Sequence, residues 1–455
     1  MRRLVLLLCA LALAGCAGLA PDLPQRRAAP DIALPPMKAF RATPVQPPSR
    51  SNRNIAADFL ELSFRLESGR ELPVLTRFEG PVTVRVVGAT PPTLSDDLDR
   101  LLARLRAEAG ITVRRVPAAQ EASITIETVT RAELQRAVPQ AACFVVPRTT
   151  SWAEFRRDRR HPRLDWTTLR VRERMAIFIP SDVAPQEVRD CLHEELAQSL
   201  GPLNDLYELP DSVFNDDNFH TVLTGFDMLM LRVTYDPALR SGMTRDEVAA
   251  RLPAILARLN PAGESIGYVP QERTPRIWVD AIETALGPRT PAARRRAAAA
   301  EAVAIARARG WGDNRTGFAL YALGRLNLGT DPDLALASFL QARQIFARSP
   351  QTRIHEAHVT MQLAAFALSA GQGDLALELA DGAIPVVESA QNAALLASLL
   401  FVRAEALTLL GRPEEAREAR VDSLGWARYG FGRDEEVLLR ASEIASLRPV
   451  RGAPS

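Results

Sequence analysis

Lysine is nearly missing from the sequence. Lys38 is the only lysine among 56 basic residues, and 54 acidic residues leave a formal net charge of +2. Acids and arginines are interspersed along the chain, which gives no basic stripe of the kind that phosphate backbones require. We therefore expect no nucleic-acid partner. With 47% apolar residues, the 455-residue chain has enough apolar material for two or three folded domains.

Long apolar runs are also missing, apart from one at the start of the chain. Arg2 and Arg3 precede the apolar run 4–13, and small residues follow it. This run is too short to span a bilayer, which takes roughly 20 apolar residues. The pattern is typical of a secretory signal peptide, here residues 1–15, which is removed on export.

Residues 13–16 read Leu-Ala-Gly-Cys and resemble the lipobox of bacterial lipoproteins. In such proteins the cysteine, here Cys16, is lipidated and anchors the mature chain to a membrane. Because Ala17 rather than an aspartate follows it, the resemblance implies an outer-membrane lipoprotein that faces the periplasm. The alternative is an ordinary signal peptide followed by an incidental cysteine.

Cysteine is scarce, with four residues in the whole chain. Cys9 leaves with the signal peptide and Cys16 is assigned to lipid, which leaves Cys143 and Cys191. An even pair of cysteines in an oxidising compartment suggests one disulfide, so we predict a Cys143–Cys191 bridge. The alternative is two free buried thiols.

Changes of pattern divide the mature chain into five segments. The proline-rich segment 16–54 predicts an extended tether, which would hold the folded part away from the membrane. Residues 55–263 mix strand and helix patterns and predict an α+β domain. A connector, 264–290, contains a candidate first helix of the helical array 291–449, and residues 450–455 form a tail.

Specific elements are expected within the α+β domain. Alternating apolar residues predict strands at 82–86, 124–126 and 144–146. Apolar residues spaced three and four apart predict helices over 96–109 and 186–200.

The helical array contains a repeat. The sequence Asp333-Leu-Ala-Leu recurs at Asp374 and, as Glu414-Glu-Ala-Arg, at Glu414, which gives steps of 41 and 40 residues. This spacing resembles tetratricopeptide-type helical hairpins with longer helices. One hairpin cannot bury its own apolar face, so we expect the units to stack into a solenoid that binds an unidentified envelope protein. The alternative is a helical bundle without repeats.

The helix predicted over 186–200 carries an unusual concentration of acidic side chains. His193-Glu194 looks like the start of the zinc-peptidase motif H-E-x-x-H, but the last motif position is Ala197. A frame shifted by one residue keeps the spacing of a longer zinc-peptidase motif but lacks its histidines.

The shifted frame matches the spacing H-E-x-x-H-x-x-G-x-x-H without its histidines. Glu195 stands at the catalytic glutamate and Gly201 at the turn glycine. Glu194, Gln198 and Asn204 stand at the three histidine positions. On a helix Glu194 and Gln198 share one face, and the glycine turn can bring Asn204 or Asp205 back toward them.

A longer stretch carries a family resemblance. Its motifs are Asp190-Cys-Leu-His-Glu-Glu-Leu-Ala-Gln198, Asn204-Asp205, Ser212-Val-Phe-Asn215-Asp216-Asp217, Leu223-Thr-Gly-Phe-Asp227, Tyr235-Asp-Pro237 and Gly242-Met243. Over roughly residues 55–263 the chain resembles the uncharacterised bacterial family catalogued as domain of unknown function 2927. The resemblance implies a zincin-like, metallopeptidase-like fold with a mixed sheet and an active-site helix, and it implies no established activity.

The donor atoms argue against zinc. Zinc favours imidazole and thiolate, whereas carboxylate and amide oxygens suit harder ions such as calcium or magnesium. We therefore expect no cofactor of the zinc type. The acidic side chains, including Asp205 and the run 215–217, either hold a hard cation or form a solvated acidic rim. His220 either adds one nitrogen ligand or is an ordinary loop histidine.

Two further histidines, His355 and His358, lie one helical turn apart in the array. They have the spacing of a metal chelate, but the sequence provides no evident third ligand. We predict packing or solvent-facing roles for both.

Three functions remain open. The first is an envelope protein-interaction module whose zincin-like domain has lost catalysis, with Glu195 held charged by hydrogen bonds. The second is an envelope peptide hydrolase in which Glu195 is the general base and the metal is not zinc. The third is a sugar-cleaving enzyme that pairs Glu195 with Asp216 or Asp227.

Overall fold

The computed structural model describes residues 34–40 and 46–449. The predicted signal peptide, Cys16, most of the tether and the tail lie outside the described residues. Among the helices that are described, none combines the length and the apolar character needed to cross a bilayer.

A five-stranded sheet forms the centre of the N-terminal α/β region. The strands are β1 (Val82–Gly88), β2 (Val113–Arg115), β3 (Ile124–Val129), β4 (Phe144–Pro147) and β5 (Met175–Pro180). Their order is β2-β1-β3-β5-β4, and β4 at the edge runs antiparallel to β5 while the other pairs are parallel. The three strand segments predicted from alternating apolar residues are confirmed.

Helices surround this sheet. They are α1 (Asn52–Phe64), α2 (Leu94–Glu108), α3 (Arg131–Ala137), α4 (Trp152–Asp158), α5 (Pro185–Leu200), α6 (Gly225–Thr234), α7 (Arg245–Ala249) and α8 (Leu252–Leu259). Helices α3, α6 and α7 each begin with a reciprocal capping box, in which a threonine and the acidic residue three positions later satisfy backbone N–H groups. Both helices predicted over 96–109 and 186–200 are present, as α2 and α5.

The C-terminal region is helical throughout its described length. Its helices are α9 (Arg276–Leu286), α10 (Ala292–Ala308), α11 (Asn314–Asn327), α12 (Pro332–Phe346), α13 (Arg353–Ser369), α14 (Gly373–Ser389), α15 (Ala393–Leu409), α16 (Pro413–Gly430) and α17 (Asp434–Ala445). From α9 to α16, successive helices pack against one another, apart from a looser step between α12 and α13.

The recurring acidic residues have one structural position. Asp333, Asp374 and Glu414 lie in the first turns of α12, α14 and α16, where a negative charge favours the helix N-terminus. Gly371 and Gly411, in the turns that precede α14 and α16, adopt φ of +72° and +73°. Glycine adopts this left-handed backbone conformation without steric cost. The sequence repeat of about 40 residues therefore corresponds to helix pairs that are joined by equivalent turns.

The loop 201–224, between α5 and α6, joins the two regions. Its Phe219 ring lies 5.8 Å from the ring of Phe318, 5.4 Å from that of Tyr321 and 4.4 Å from that of His355. Phe219 belongs to the same apolar core as helices α9 to α15. The sequence pattern changes near residue 263, but the packing is continuous across that boundary.

Polar contacts reinforce the same junction. The amide of Asn314 donates to the carbonyl oxygen of Tyr207 at 2.6 Å. His355, fully buried, lies 2.8 Å from a carboxylate oxygen of Asp217. His358 also contacts the Phe219 ring, with centroids 4.7 Å apart. Both array histidines therefore have packing roles inside this core.

Ion pairs with buried carboxylates hold the connector 264–290 against α1 and the loop 201–224. Arg273 contacts Asp58 on α1 at 3.2 Å and Glu208 in the loop at 3.1 Å. Arg50 makes a second contact with Asp58, at 2.8 Å. Asp58 and Glu208 are almost fully buried, so removing Arg273 would leave buried carboxylates short of a partner.

Candidate functional site: a carboxyl cluster on helix α5

Helix α5 is fixed at its C-terminal end by a buried cation. Arg172, 2% exposed, donates from its guanidinium to the carbonyl oxygens of Gln198 and Gly201. These carbonyl groups lie at the helix end, where intrahelical partners run out. Burial lowers the pKa of Arg172 to about 10, so the side chain stays charged at neutral pH.

A disulfide fixes the middle of α5. The sulfurs of Cys143 and Cys191 lie at disulfide distance, with Cα atoms 5.9 Å apart, which confirms the predicted pair. The bridge joins α5 to the segment before β4. The Cys143 sulfur also lies within 4.8 Å of a carboxylate oxygen of Glu194 and of Glu195, but a disulfide sulfur is not a thiolate ligand.

Five carboxyl groups from separate parts of the chain are close enough to shift one another's pKa values beside this bridge. Glu67 comes from the turn after α1, Glu194 and Glu195 from α5, and Asp205 and Asp216 from the loop 201–224. Glu67 and Asp216 are exposed, Glu194 and Asp205 are half-buried, and Glu195 is only 4% exposed. The cluster therefore has an exposed rim and a buried floor.

The carboxyl groups repel one another. Burial, and then the charges of Asp216 and Glu67, raise the pKa of Glu194 to about 8. Burial, Glu194 and Glu67 raise the pKa of Glu195 well above its ordinary value. Burial and the neighbouring acids raise the pKa of Asp205 in the same direction. Each of these shifts favours the protonated form of the carboxyl group.

Two carboxyl oxygens on the buried side of the cluster have no partner. Among the described residues, no hydrogen-bond donor or acceptor reaches Oε2 of Glu195 or Oδ1 of Asp205. Asp205 does share a hydrogen bond with Glu67, whose carboxylate accepts it. The hydrogen bonds expected to keep Glu195 charged do not reach its Oε2 among the described residues, and burial, Glu194 and Glu67 raise its pKa.

The predicted metal positions are not all brought together. Glu194 and Asp205 join the cluster, whereas the amide of Asn204 donates to the carbonyl oxygen of Glu61 at 3.3 Å. Gln198 is buried one turn after Glu194. None of these four positions supplies imidazole or thiolate, so the residues do not fit a zinc ion.

The histidines near α5 have other partners. Nδ1 of His193 accepts the backbone N–H of Leu223 at 3.1 Å, and burial holds the pKa of His193 well below its usual range. Nε2 of His220 lies 3.0 Å from the carbonyl oxygen of Pro210, and its ring faces His355 at 5.9 Å. His220 thus belongs to the junction with the helical region.

The acidic residues after α5 separate into three roles. Asp216 faces the carboxyl cluster, and the adjacent Asp217 faces His355. Asp227 is fully buried and caps α6, and it also accepts a hydrogen bond from Ser212 at 2.5 Å. Asp227 is therefore a structural residue, which weakens the pairing of Glu195 with Asp227 in a sugar-cleaving enzyme.

Sequence reasoning missed Glu67. It lies in a tight turn in which the N–H of Gly69 donates to the carbonyl oxygen of Leu66 at 2.7 Å. Nothing in this local sequence signals a site, because only the tertiary fold brings Glu67 beside Asp205 and near enough to shift the pKa values of Glu194 and Glu195.

Comparison with known sequences supports the resemblance to a family of unknown function. Residues 52–254 match the sequence model of the family described as "Protein of unknown function (DUF2927)". The matched segment contains α1 to α7 and all five strands, and it includes every carboxyl group of the cluster. No curated protein and no solved structure shows significant similarity to the chain. The site can therefore be interpreted only from its own chemistry.

Proposed function

We propose that this protein is a lipid-anchored protein of the bacterial envelope that acts by binding another envelope protein. In this proposal the α/β region is a zincin-like domain without peptidase activity. The observation that supports it most is the chemistry of α5. Glu194, Gln198 and Asn204 offer oxygen atoms where a zincin offers histidine nitrogens, and zinc disfavours such a set.

The raised pKa of Glu195 supports the same conclusion. A general base must be ionised to accept a proton from water, and burial together with Glu194 and Glu67 shifts Glu195 toward its protonated form. Without a zinc ion, a nearby water also keeps its high pKa and is a poor nucleophile. The alternative of a peptide hydrolase with Glu195 as the base is therefore the weaker proposal.

The helical region supplies the binding surface in this proposal. Several large apolar side chains are exposed there, among them Leu340 on α12 (53%), Val421 on α16 (51%) and Leu439 on α17 (60%). The loop 201–224 packs on buried rings of α11, α12 and α13 and leaves these three side chains exposed. Exposed apolar surface on a repeat array is a common site of protein binding, so we assign the partner to α12, α16 and α17.

Photo-crosslinking in intact cells tests the proposal. With a crosslinker beside Leu439, the full-length protein should capture one defined envelope protein. Leu439→Glu should abolish this capture by placing charge in the contact, whereas Ser442→Glu, at an exposed polar position of the same helix, should retain it. Glu195→Gln should also retain capture, because binding does not depend on catalysis. Equal capture by Leu439→Glu and the unsubstituted protein would contradict the assigned surface.

A further inference from the structure

Residues 36–40, the strap, belong to the predicted tether but lie along helix α16. The backbone N–H of Lys38 donates to the carbonyl oxygen of Gly425 at 3.0 Å. The Lys38 ammonium pairs with Asp422, about one turn earlier on the same helix. Lys38 is the only lysine of the chain, so its single side-chain amine lies at this contact.

The last residue of the strap brings an aromatic ring to the same helix. Phe40 stacks on Trp426 of α16, with ring centroids 4.4 Å apart. The guanidinium of Arg189, on α5, lies 5.3 Å from the Phe40 ring centroid and 5.2 Å from that of Tyr429. Arg189 is buried, and the attraction between a cation and a ring is stronger where water is excluded. The strap therefore contacts α16 and α5 together.

A glycine makes room for the strap on α16. Gly425 lies in the interior of this helix, where glycine is less favourable than alanine. A Cβ atom at this position would lie 3.1 Å from Cγ of Lys38 and 3.3 Å from the backbone oxygen of Pro36. Gly382, in the interior of α14, has open space where its Cβ would be. A side chain at position 425 would therefore push the strap away from α16.

The strap is attached by contacts that are individually weak. Residues 36–39 are exposed and Phe40 is half-buried. The side chains of Lys38 and Asp422 are 46% and 39% exposed, and ion pairs at such positions contribute little to stability. Segments with few buried contacts open far more often than the core of a protein does. The strap is thus able to leave α16 while the rest of the fold stays intact.

We propose that Asp422, Gly425 and Trp426 form a binding site for an extended segment that carries a cation two residues before an aromatic ring. In such a segment both side chains point to the same side, as those of Lys38 and Phe40 must to reach α16. The strap fills this site as a releasable ligand from the same chain. Its effective concentration is on the order of millimolar, as for other short linkers, so it excludes weaker competitors. This inference does not depend on the proposed function, because the ligand is part of this chain.

A peptide-binding assay with the full-length protein in detergent tests the site. The probe is a fluorescent peptide with the sequence of residues 36–42, and its anisotropy reports binding. Combining Lys38→Glu with Phe40→Ala gives a released protein, which lacks both side-chain contacts of the strap but keeps α16 unchanged. The released protein should bind the peptide at least tenfold more tightly than the unsubstituted protein does. A peptide with alanine in place of Lys38 and Phe40 should not bind.

Substitutions on α16 locate the bound peptide. In the released protein, Gly425→Leu should weaken peptide binding at least tenfold, because the new side chain occupies the space of the strap. Gly382→Leu is the matched control and should retain binding, since it also replaces a glycine inside a helix. If circular dichroism shows that Gly425→Leu does not fold, Asp422→Arg decides the question. Asp422 is 39% exposed, and the reversed charge repels the lysine of the peptide.

Carbodiimide crosslinking of the unsubstituted protein shows which chain supplies the strap. This reagent joins a paired amine and carboxylate as an amide, and we expect the Lys38–Asp422 product within one chain. The absence of this product, or a covalent dimer joined by it, would overturn the proposal. The proposal is also overturned if the released protein does not bind the peptide, or if the unsubstituted protein binds it equally well. Retained binding in both Gly425→Leu and Asp422→Arg would overturn it too.

Discussion

Phe219→Ala tests whether the loop 201–224 holds the α/β and helical regions together. The Phe219 side chain is 3% exposed and is surrounded by rings from α11, α12 and α13. Replacing a phenylalanine in such a core by alanine leaves a cavity and lowers the free energy of unfolding by about 3–5 kcal/mol. We expect a value in this range, because aromatic neighbours on several sides cannot all move into the space.

Urea unfolding of the full-length protein measures this effect. Circular dichroism follows the helical region most strongly. Tryptophan fluorescence, to which five tryptophans contribute, includes the signal of Trp278, whose ring lies 5.0 Å from that of Tyr207. In the unsubstituted protein both signals should change together, because the two regions share a core. In Phe219→Ala the transition should move to lower urea, and the two signals should separate if the regions come apart.

Leu439→Ala is the matched control for Phe219→Ala. Leu439 is 60% exposed, so its truncation should change the free energy of unfolding by less than about 0.5 kcal/mol. A loss below about 1 kcal/mol for Phe219→Ala would refute the reasoning, since a buried core ring cannot be removed at so low a cost.

Three further predictions concern export, the disulfide and pH. Cys16→Ser should move the protein from the membrane fraction to the soluble periplasm, and continued membrane retention would contradict the lipid anchor. Replacing both Cys143 and Cys191 by serine should lower the free energy of unfolding by about 4 kcal/mol, because the bridge closes a loop of 48 residues; denaturant curves with and without reductant measure this. Burial lowers the pKa of His358 from 6.5 to about 3, so its neutral form contributes stability that is complete above pH 6.5 and is lost as pH falls toward 3. Relative to His358→Gln, the unsubstituted protein should lose about 2 kcal/mol between about pH 7.5 and about pH 5, and parallel pH profiles would contradict the burial of a neutral imidazole.

Local patterns in the sequence were enough to predict many of the elements. The alternating valines of β1 and the apolar face of α2 follow directly from the periods of strand and helix. The Cys143–Cys191 pair followed from counting cysteines in a chain that is predicted to be exported. The acidic first turns of α12, α14 and α16 were visible as a repeat, because equivalent helix starts need equivalent residues.

The candidate site was only half predictable. Glu194 and Glu195 were identified because they fall on a known motif spacing, and Asp205 because it follows the glycine turn. Glu67 lies far away in sequence and carries no local signal. The burial of Glu195 and its free oxygen depend on how the loop 201–224 folds over α5, which no local period encodes. The same loop separates the neighbours Asp216 and Asp217 into different environments, one facing the carboxyls and the other facing His355.

In the proposed function, this protein acts by binding and does not use zinc to cleave peptides. The most direct test is hydrolysis of an unfolded protein substrate by the purified full-length protein supplied with zinc. We predict no chelator-sensitive cleavage above the level given by Glu195→Gln. Zinc-dependent cleavage that chelator stops and that Glu195→Gln abolishes, with circular dichroism unchanged, would contradict the claim.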